Sequence, residues 1–295
     1  MITIFYRSFG KILLSQSTAD LAAFKLEDVV WIDLFSPSGD EKRATESFLN
    51  TEIQSRAQAE EIESSSRFSE TDTAIFANTN FLIPGPEEYA MEAVSFTLVG
   101  NVLTTLRDVP LRSFTELQRK IQAVPRLFPN GYWVFVNIMD QRVDLDADMI
   151  ELMSKEIAQY SKRINQQEDI NEDFLLDINQ LQDNTMLVRE NIVDKQRLIS
   201  NMMKSDKYPS ELEPRFNVLL QDTVVGLINL DQNRIMKIFT LISLLLMPPT
   251  LVASFYGMNV DLPLTDKPWS WLLILGFMIL SLAIILFLFQ RRKML

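Results

Sequence analysis

Four hydroxyl side chains near the C-terminus, Thr240, Ser243, Thr250 and Ser254, fall with Met247 at spacings of three, four, three and four residues. At ~100° per residue on a helix, this spacing draws one narrow polar stripe. Traced backward, the line meets Met236 and Asn233, and then Asp222, which lies 11 residues, about three turns, before Asn233. The stripe has two readings. One is a packing seam, because Ser and Thr let helices approach and share hydrogen bonds. The other is the wall of a water-filled path, with Met236 and Met247 as flexible apolar constrictions between hydroxyl rings. The stripe alone leaves both open. Pro248 and Pro249 fit either reading, since they remove two backbone donors and can bend the helix.

What the chain lacks narrows the chemistry. Its 295 residues contain no histidine and no cysteine. That removes the most used general base, the commonest transition-metal ligand, thiolate metal sites and disulfides. Eight glycines are too few for several Gly-rich phosphate loops, and no Walker motif is present, so ATP is not expected as a partner.

The elements that carry the stripe are two uncharged apolar runs. Ile238–Tyr256 reads IFTLISLLLMPPTLVASFY over 19 residues, and Trp269–Phe289 reads WSWLLILGFMILSLAIILFLF over 21. Each meets the ~20 residues a helix needs to span ~30 Å of hydrocarbon. Trp269 and Trp271 open the second run where an interfacial aromatic belt belongs. Beyond that opening, Ser281 is the second run's one hydroxyl, so the first run is the polar one. Two spans cannot enclose an aqueous path. Either they only anchor the chain, or several copies assemble around an axis.

Charge divides the chain as well. Residues 1–221 carry 22 basic and 35 acidic side chains, a net −13, whereas residues 222–295 carry six and four, a net +2. An acidic body argues against nucleic acid, which needs clustered Lys and Arg, and suits the attraction of cations. Arg234 and Lys237 precede the first run and Arg291, Arg292 and Lys293 follow the second, while the connecting loop has only Lys267. This asymmetry predicts a multi-pass protein of the inner (plasma) membrane with both termini cytoplasmic. Arg7 and Lys11 interrupt the N-terminal apolar stretch, so no signal peptide is expected.

The first run ends in Tyr256-Gly257-Met258-Asn259, within the string QNRIMKIFTLISLLLMPPTLVASFYGMN. Here the sequence resembles the CorA family of divalent-cation (magnesium) transporters. The GMN triplet closes the penultimate span, and a second span ending in RRK follows it at the C-terminus. The likeness is densest over Asn233–Asn259 and extends more loosely to WIDLFSPSGDEK (Trp31–Lys42) and VSFTLVGNVLTTLRD (Val94–Asp108).

The resemblance implies a membrane protein with an α/β cytoplasmic domain, long stalk helices and two transmembrane helices per subunit, assembled as a homopentamer in the lipid bilayer. It implies that Gly257, Met258 and Asn259 form the outward entrance. Asn233, Met236, Thr240, Ser243, Met247, Thr250 and Ser254 would line the pore, and Asn259 would coordinate metal. A ring of neutral amide oxygens can bind hydrated Mg²⁺ through its waters without stripping them, weakly enough for release. Mg²⁺ is then the transported ion and a regulatory one, and no covalently bound cofactor is expected. By the same resemblance, intracellular Mg²⁺ sits between neighbouring cytoplasmic domains and favours the closed state. Asp222 is a candidate ligand, as are Asp169, Glu172, Asp173 and Asp177.

The loop departs from the family. Many members carry an acidic MPEL element after GMN, whereas here VDLPLTDKPW offers only Asp261 and Asp266. Passive inward Mg²⁺ conduction is therefore read beside a ZntB-like zinc or broad divalent (Co²⁺, Ni²⁺) alternative. A membrane-anchored cytosolic scaffold or enzyme is the alternative of another class. No nucleophile–base constellation in residues 1–233 supports the enzyme, and none is expected.

The predicted divisions are a cytoplasmic α/β domain (1–130), a long-helix stalk region (131–233), the pore-lining span (234–256), the external loop (257–268), the second span (269–290) and a basic tail (291–295). Strands are expected at Ile2–Tyr6, Val29–Phe35, Thr73–Ile83, Met91–Val99 and Val102–Arg107, with helices at Ser38–Leu49 and Arg112–Val124. Ile150, Met153, Ile157, Tyr160 and Ile164 form one helical stripe, and Phe174, Ile178, Leu181, Thr185, Val188 and Ile192 another. These predict two long paired helices. A third starts near Ser210–Pro214 and runs toward Tyr256.

Overall fold

The computed structural model describes residues 1–54, 67–85, 89–165 and 172–229, with helical positions at 250, 252, 254, 275, 276 and 278–280. It divides into two units: Met1–Glu156 with Asn179–Leu230, and Ile157–Ile178 with Asp231–Leu295.

In the first unit, β1 (Ile2–Ser8), β2 (Lys11–Ser15), β3 (Val29–Phe35), β4 (Phe68–Glu70), β5 (Ala74–Ile83), β6 (Ala90–Val99) and β7 (Val102–Arg107) form one sheet. Its seven strands run in the order β2-β1-β3-β7-β6-β5-β4. Neighbours are antiparallel except β3 and β7, which pair in parallel from Trp31↔Leu103 to Phe35↔Arg107. Five strands coincide with the β-rich runs of the sequence. The other two, β2 and β4, are edge strands of five and three residues, too short for an alternating pattern to show.

The helices are α1 (Gly39–Leu49), α2 (Arg112–Ala123), α3 (Gly131–Asn165), α4 (Glu172–Lys204) and α5 (Glu213–Asn229). Ser38 caps α1 from outside, in a reciprocal capping box with Glu41. Glu41 also binds the N-terminal ammonium and the Ile2 N–H, which tie the first strand to α1. Burial raises the Glu41 pKa, but the Ser38 N–H, the N-terminus and the Ile2 N–H together hold it below the usual carboxylate value.

Side chains of a strand alternate between faces, so the sheet has two cores. On one face, Phe5, Trp31, Ile75, Phe96 and Leu103 pack with Phe114 and Leu117 of α2, Phe135 of α3, Ile199 of α4 and Phe216 of α5. On the other, Ile2, Ile4, Ile32, Leu34 and Leu106 pack with Leu49 of α1 and Leu21. The fold is thus an α/β sheet with helices on both faces. Most members of the two sequence stripes also pack inward. Ile150, Met153 and Ile157 on α3 are buried, as are Phe174, Ile178, Leu181, Thr185, Val188 and Ile192 on α4.

Two polar devices fix this unit. Asp33 on β3 meets Arg107 on β7 at 2.8 Å and also accepts from Thr105 and Gln118, with both ion-pair partners buried. Thr105 in turn accepts from the Trp31 indole at 2.9 Å, so the network crosses the parallel strand pair. The second device sets the start of α3. Asn130 caps it by accepting from the Tyr132 and Trp133 N–H groups. The Gly131 N–H donates to Asn101 O at 2.6 Å, and a Cβ at Gly131 would lie 2.3 Å from the Leu103 nitrogen. Only glycine lets the helix start this close to the β6–β7 turn.

In the second unit, the end of α3 and the start of α4 meet through Tyr160 and Phe174, whose rings are 5.6 Å apart and edge-on, with Arg163 over the Phe174 ring at 4.8 Å.

Candidate functional site

Thr250 and Ser254 are the two stripe residues within the described chain. Both are helical and exposed, and their four-residue separation puts them on one face. Val252 between them is half-buried. In the second run, Leu275, Ile279 and Leu280 are helical and exposed at 48%, 62% and 57%, so large apolar side chains project outward there. Asn233, Met236, Thr240, Ser243, Met247, Gly257, Met258, Asn259, Asp261 and Asp266 lie outside the described residues. Among the described residues, no helix is long and apolar enough to cross a membrane.

Asp222 is fully placed. It is exposed on α5 at the edge of a small cleft lined by Val143, Asp146, Ala147 and Ile150 of α3, Ile192 of α4 and Thr223. Beside it stands an acidic row on α3, Asp140, Asp144 and Asp148. Partial burial raises the Asp144 pKa first, and repulsion from Asp140, Asp222 and Asp148 raises it further. The sequence reading missed this row, although its four-residue spacing in DQRVDLDAD places all three on one helix face. Among the described residues, no three acidic side chains converge closely enough to hold a metal ion. Of the other regulatory candidates, Asp177 is exposed on α4, Glu172 and Asp173 open that helix, and Asp169 lies outside the described residues.

Beneath the cleft, Asp146 is buried between two cations. Its carboxylate lies 2.8 Å from Arg142 and 2.7 Å from Lys195. Arg142 and Asp146 are one turn apart on α3, and Lys195 reaches across from α4. A charge this deep is not legible from sequence, because the residues lie 49 positions apart and each reads locally as helix surface.

The CorA-like Mg²⁺ transporter protein family matches this chain over residues 27–222 and 217–292. The chain belongs to that family. Among relatives, the magnesium transport protein CorA of Wolinella succinogenes is 31% identical, with 99% of each chain covered. That of Escherichia coli is 30% identical over 83% of this chain and 85% of the relative. Among solved structures, the complete CorA magnesium transporter of Methanocaldococcus jannaschii superposes with a TM-score of 0.64 at 14% identity, over 99% of this chain and 98% of that one. The cytoplasmic domain of ZntB from Vibrio parahaemolyticus gives 0.58 at 14% identity, over 79% and 93%. At such identities the structural likeness speaks for the fold alone. It agrees with the α/β domain and long helices found here. CorA relatives are named transport proteins, in keeping with a family that moves ions rather than transforms a substrate.

Proposed function

We propose that this chain is one subunit of a homopentameric membrane channel that passes hydrated Mg²⁺ inward, down its electrochemical gradient. The observation that carries the reading is family membership over nearly the whole chain, joined to Gly257-Met258-Asn259 placed directly after an uncharged run with a hydroxyl stripe. In this reading the first run lines the pore and the second faces lipid, and both termini are cytoplasmic. The exposed Thr250 and Ser254 on one helix face support the first assignment, and the exposed Leu275, Ile279 and Leu280 support the second.

Five copies of Asn259 would bind the ion's first water shell through amide oxygens, because Mg²⁺ gives up its water reluctantly and demands octahedral oxygen geometry. Asn233, Thr240, Ser243, Thr250 and Ser254 would continue a neutral oxygen lining. Met236 and Met247 would narrow it enough to gate by dewetting. Asp261 and Asp266 would supply negative charge outside the entrance.

Gating follows from the acidic row. Among the described residues of one chain, no three carboxylates converge closely enough to hold a cation. A cation bridging Asp222 or its neighbours to an adjacent subunit would relieve repulsion such as that raising Asp144. Intracellular Mg²⁺ would then favour the closed assembly through its stronger binding to that state.

The test is Mg²⁺ uptake into proteoliposomes. Asn259→Ala is expected to abolish uptake while leaving the size of the detergent-solubilised assembly unchanged. Wild-type uptake by that variant would overturn the entrance assignment. A second reading, zinc or broad divalent transport, is favoured by the loop's lack of an MPEL element. Competition of Zn²⁺, Co²⁺ and Ni²⁺ against Mg²⁺ in the same assay separates the two.

A further inference from the structure

The buried charges around Lys195 belong to neither the pore nor the acidic row, and their arrangement is unusual. Lys195 has no exposed surface. Its ammonium meets Asp146 of α3 at 2.7 Å and donates to Asn191 one turn back on α4. Arg142 meets the other oxygen of the same carboxylate. Both cations face one ring, with Arg142 at 5.3 Å and Lys195 at 5.8 Å from the Phe81 centroid on β5. Two backbone ties complete the joint, from Arg142 to Leu82 O and from Asn191 to Asn80 O, so α3, α4 and β5 meet at this point.

The charges are unevenly shared. Asp146 is shared by two cations, and the other nearby carboxylate, Asp194 on α4, is engaged by Arg67. On β5 the facing groups are the Phe81 ring and backbone carbonyls, which carry no charge. Arg142 and Lys195 are thus both buried on the single Asp146 carboxylate, while Arg67, which engages Asp194, keeps 18% of its side chain exposed. A wholly buried ammonium that shares its carboxylate with a second cation is expensive, and shedding its proton removes that cost.

We propose that the Arg142–Asp146–Lys195 cluster is a proton-sensitive latch between α3, α4 and the sheet, in which loss of the Lys195 proton tightens the closed packing and any opening that hydrates Lys195 takes the proton back. The direction follows from linkage. Burial, opposed by Asp146 and assisted by Arg142, lowers the Lys195 pKa from 10.5 to about 8 in the closed state. Once hydrated, the lysine regains its ordinary affinity. Below about pH 8 both states hold the proton and opening is insensitive to pH. Between about pH 8 and 10.5 only the open state holds it, so opening becomes rarer as pH rises.

The test is hydrogen exchange of the full-length protein in detergent from pH 6.5 to 9.5, corrected for the intrinsic pH dependence of exchange and read at amides 139–147 and 188–199. Protection is expected to rise about twentyfold between pH 7.5 and 9.5 in the wild type. It is expected to stay flat in Lys195→Met, which holds no proton, and in Lys195→Arg, which never releases one. Asp146→Asn removes the strongest favourable partner, so its rise is expected to begin at lower pH. A Lys195→Met profile that rises like the wild type overturns the latch, as does a flat wild-type profile. If Lys195→Met fails to fold, the direction of the Asp146→Asn displacement decides: no displacement, or one to higher pH, overturns it.

Discussion

In the sheet unit, each of the six buried charged side chains among the described residues has an opposite partner: Asp33 with Arg107, Asp146 with Arg142 and Lys195, and Asp194 with Arg67. The C-terminal runs take the opposite course. Over 19 and 21 residues they admit no charge at all, and the first confines its hydroxyl groups to one stripe. The difference teaches where each region's polarity acts. In the sheet unit, buried polar groups fix geometry, because leaving one unpaired in a low dielectric is costly. In the runs, where there is no charge to pair, the proposed role of the stripe's hydroxyls is toward an ion. Substitutions in the sheet unit should therefore be read out as stability, and those in the stripe as flux.

The largest expected effect is at Asp33. Asp33→Ala strands the buried Arg107 guanidinium and should destabilise the protein by about 3–5 kcal/mol. At this size that corresponds to a fall in Tm of roughly 10 °C, measured by circular dichroism of the detergent-solubilised chain. A change under about 2 °C would break the contrast at its strongest point.

Next come the glycines, one from each region. Gly131→Ala puts a Cβ 2.3 Å from backbone that cannot yield, whereas a Cβ at Gly276 meets nothing within 4 Å. The first should lose about 1–3 kcal/mol and the second should stay within about 0.5 kcal/mol. Equal losses would show that Gly276 is packed in the assembled protein, which would sharpen the picture of the second run.

The smallest effect on stability is expected in the stripe. The double variant Thr250→Ala, Ser254→Ala should keep its Tm within about 2 °C while Mg²⁺ uptake falls severalfold. A lowered Tm with unchanged uptake would return these hydroxyls to the packing-seam reading.

Legibility from sequence followed the range of the interactions. The helix starting at Ser38, the β-rich run of β6 and the helical stripes of α3 and α4 are all short-range, and each was readable from neighbouring residues. The edge strands β2 and β4 were not, because partners rather than propensity make them strands. The acidic row of α3 was legible in principle from its four-residue spacing, but its approach to Asp222 on α5 was not.

The sequence by itself determined the family, the two uncharged runs, the hydroxyl stripe, the GMN triplet and the division between acidic body and slightly basic end. These depend on composition and local periodicity, which chain order preserves. Only the tertiary structure decided that Asp33 and Arg107 lock a parallel strand pair, that Gly131 seats α3 against the β6–β7 turn, and that Lys195 is buried beside a carboxylate shared with Arg142. The physical reason is common to all three. Burial and charge pairing are properties of distance in space, and residues 28 to 74 positions apart acquire them only when the chain has folded.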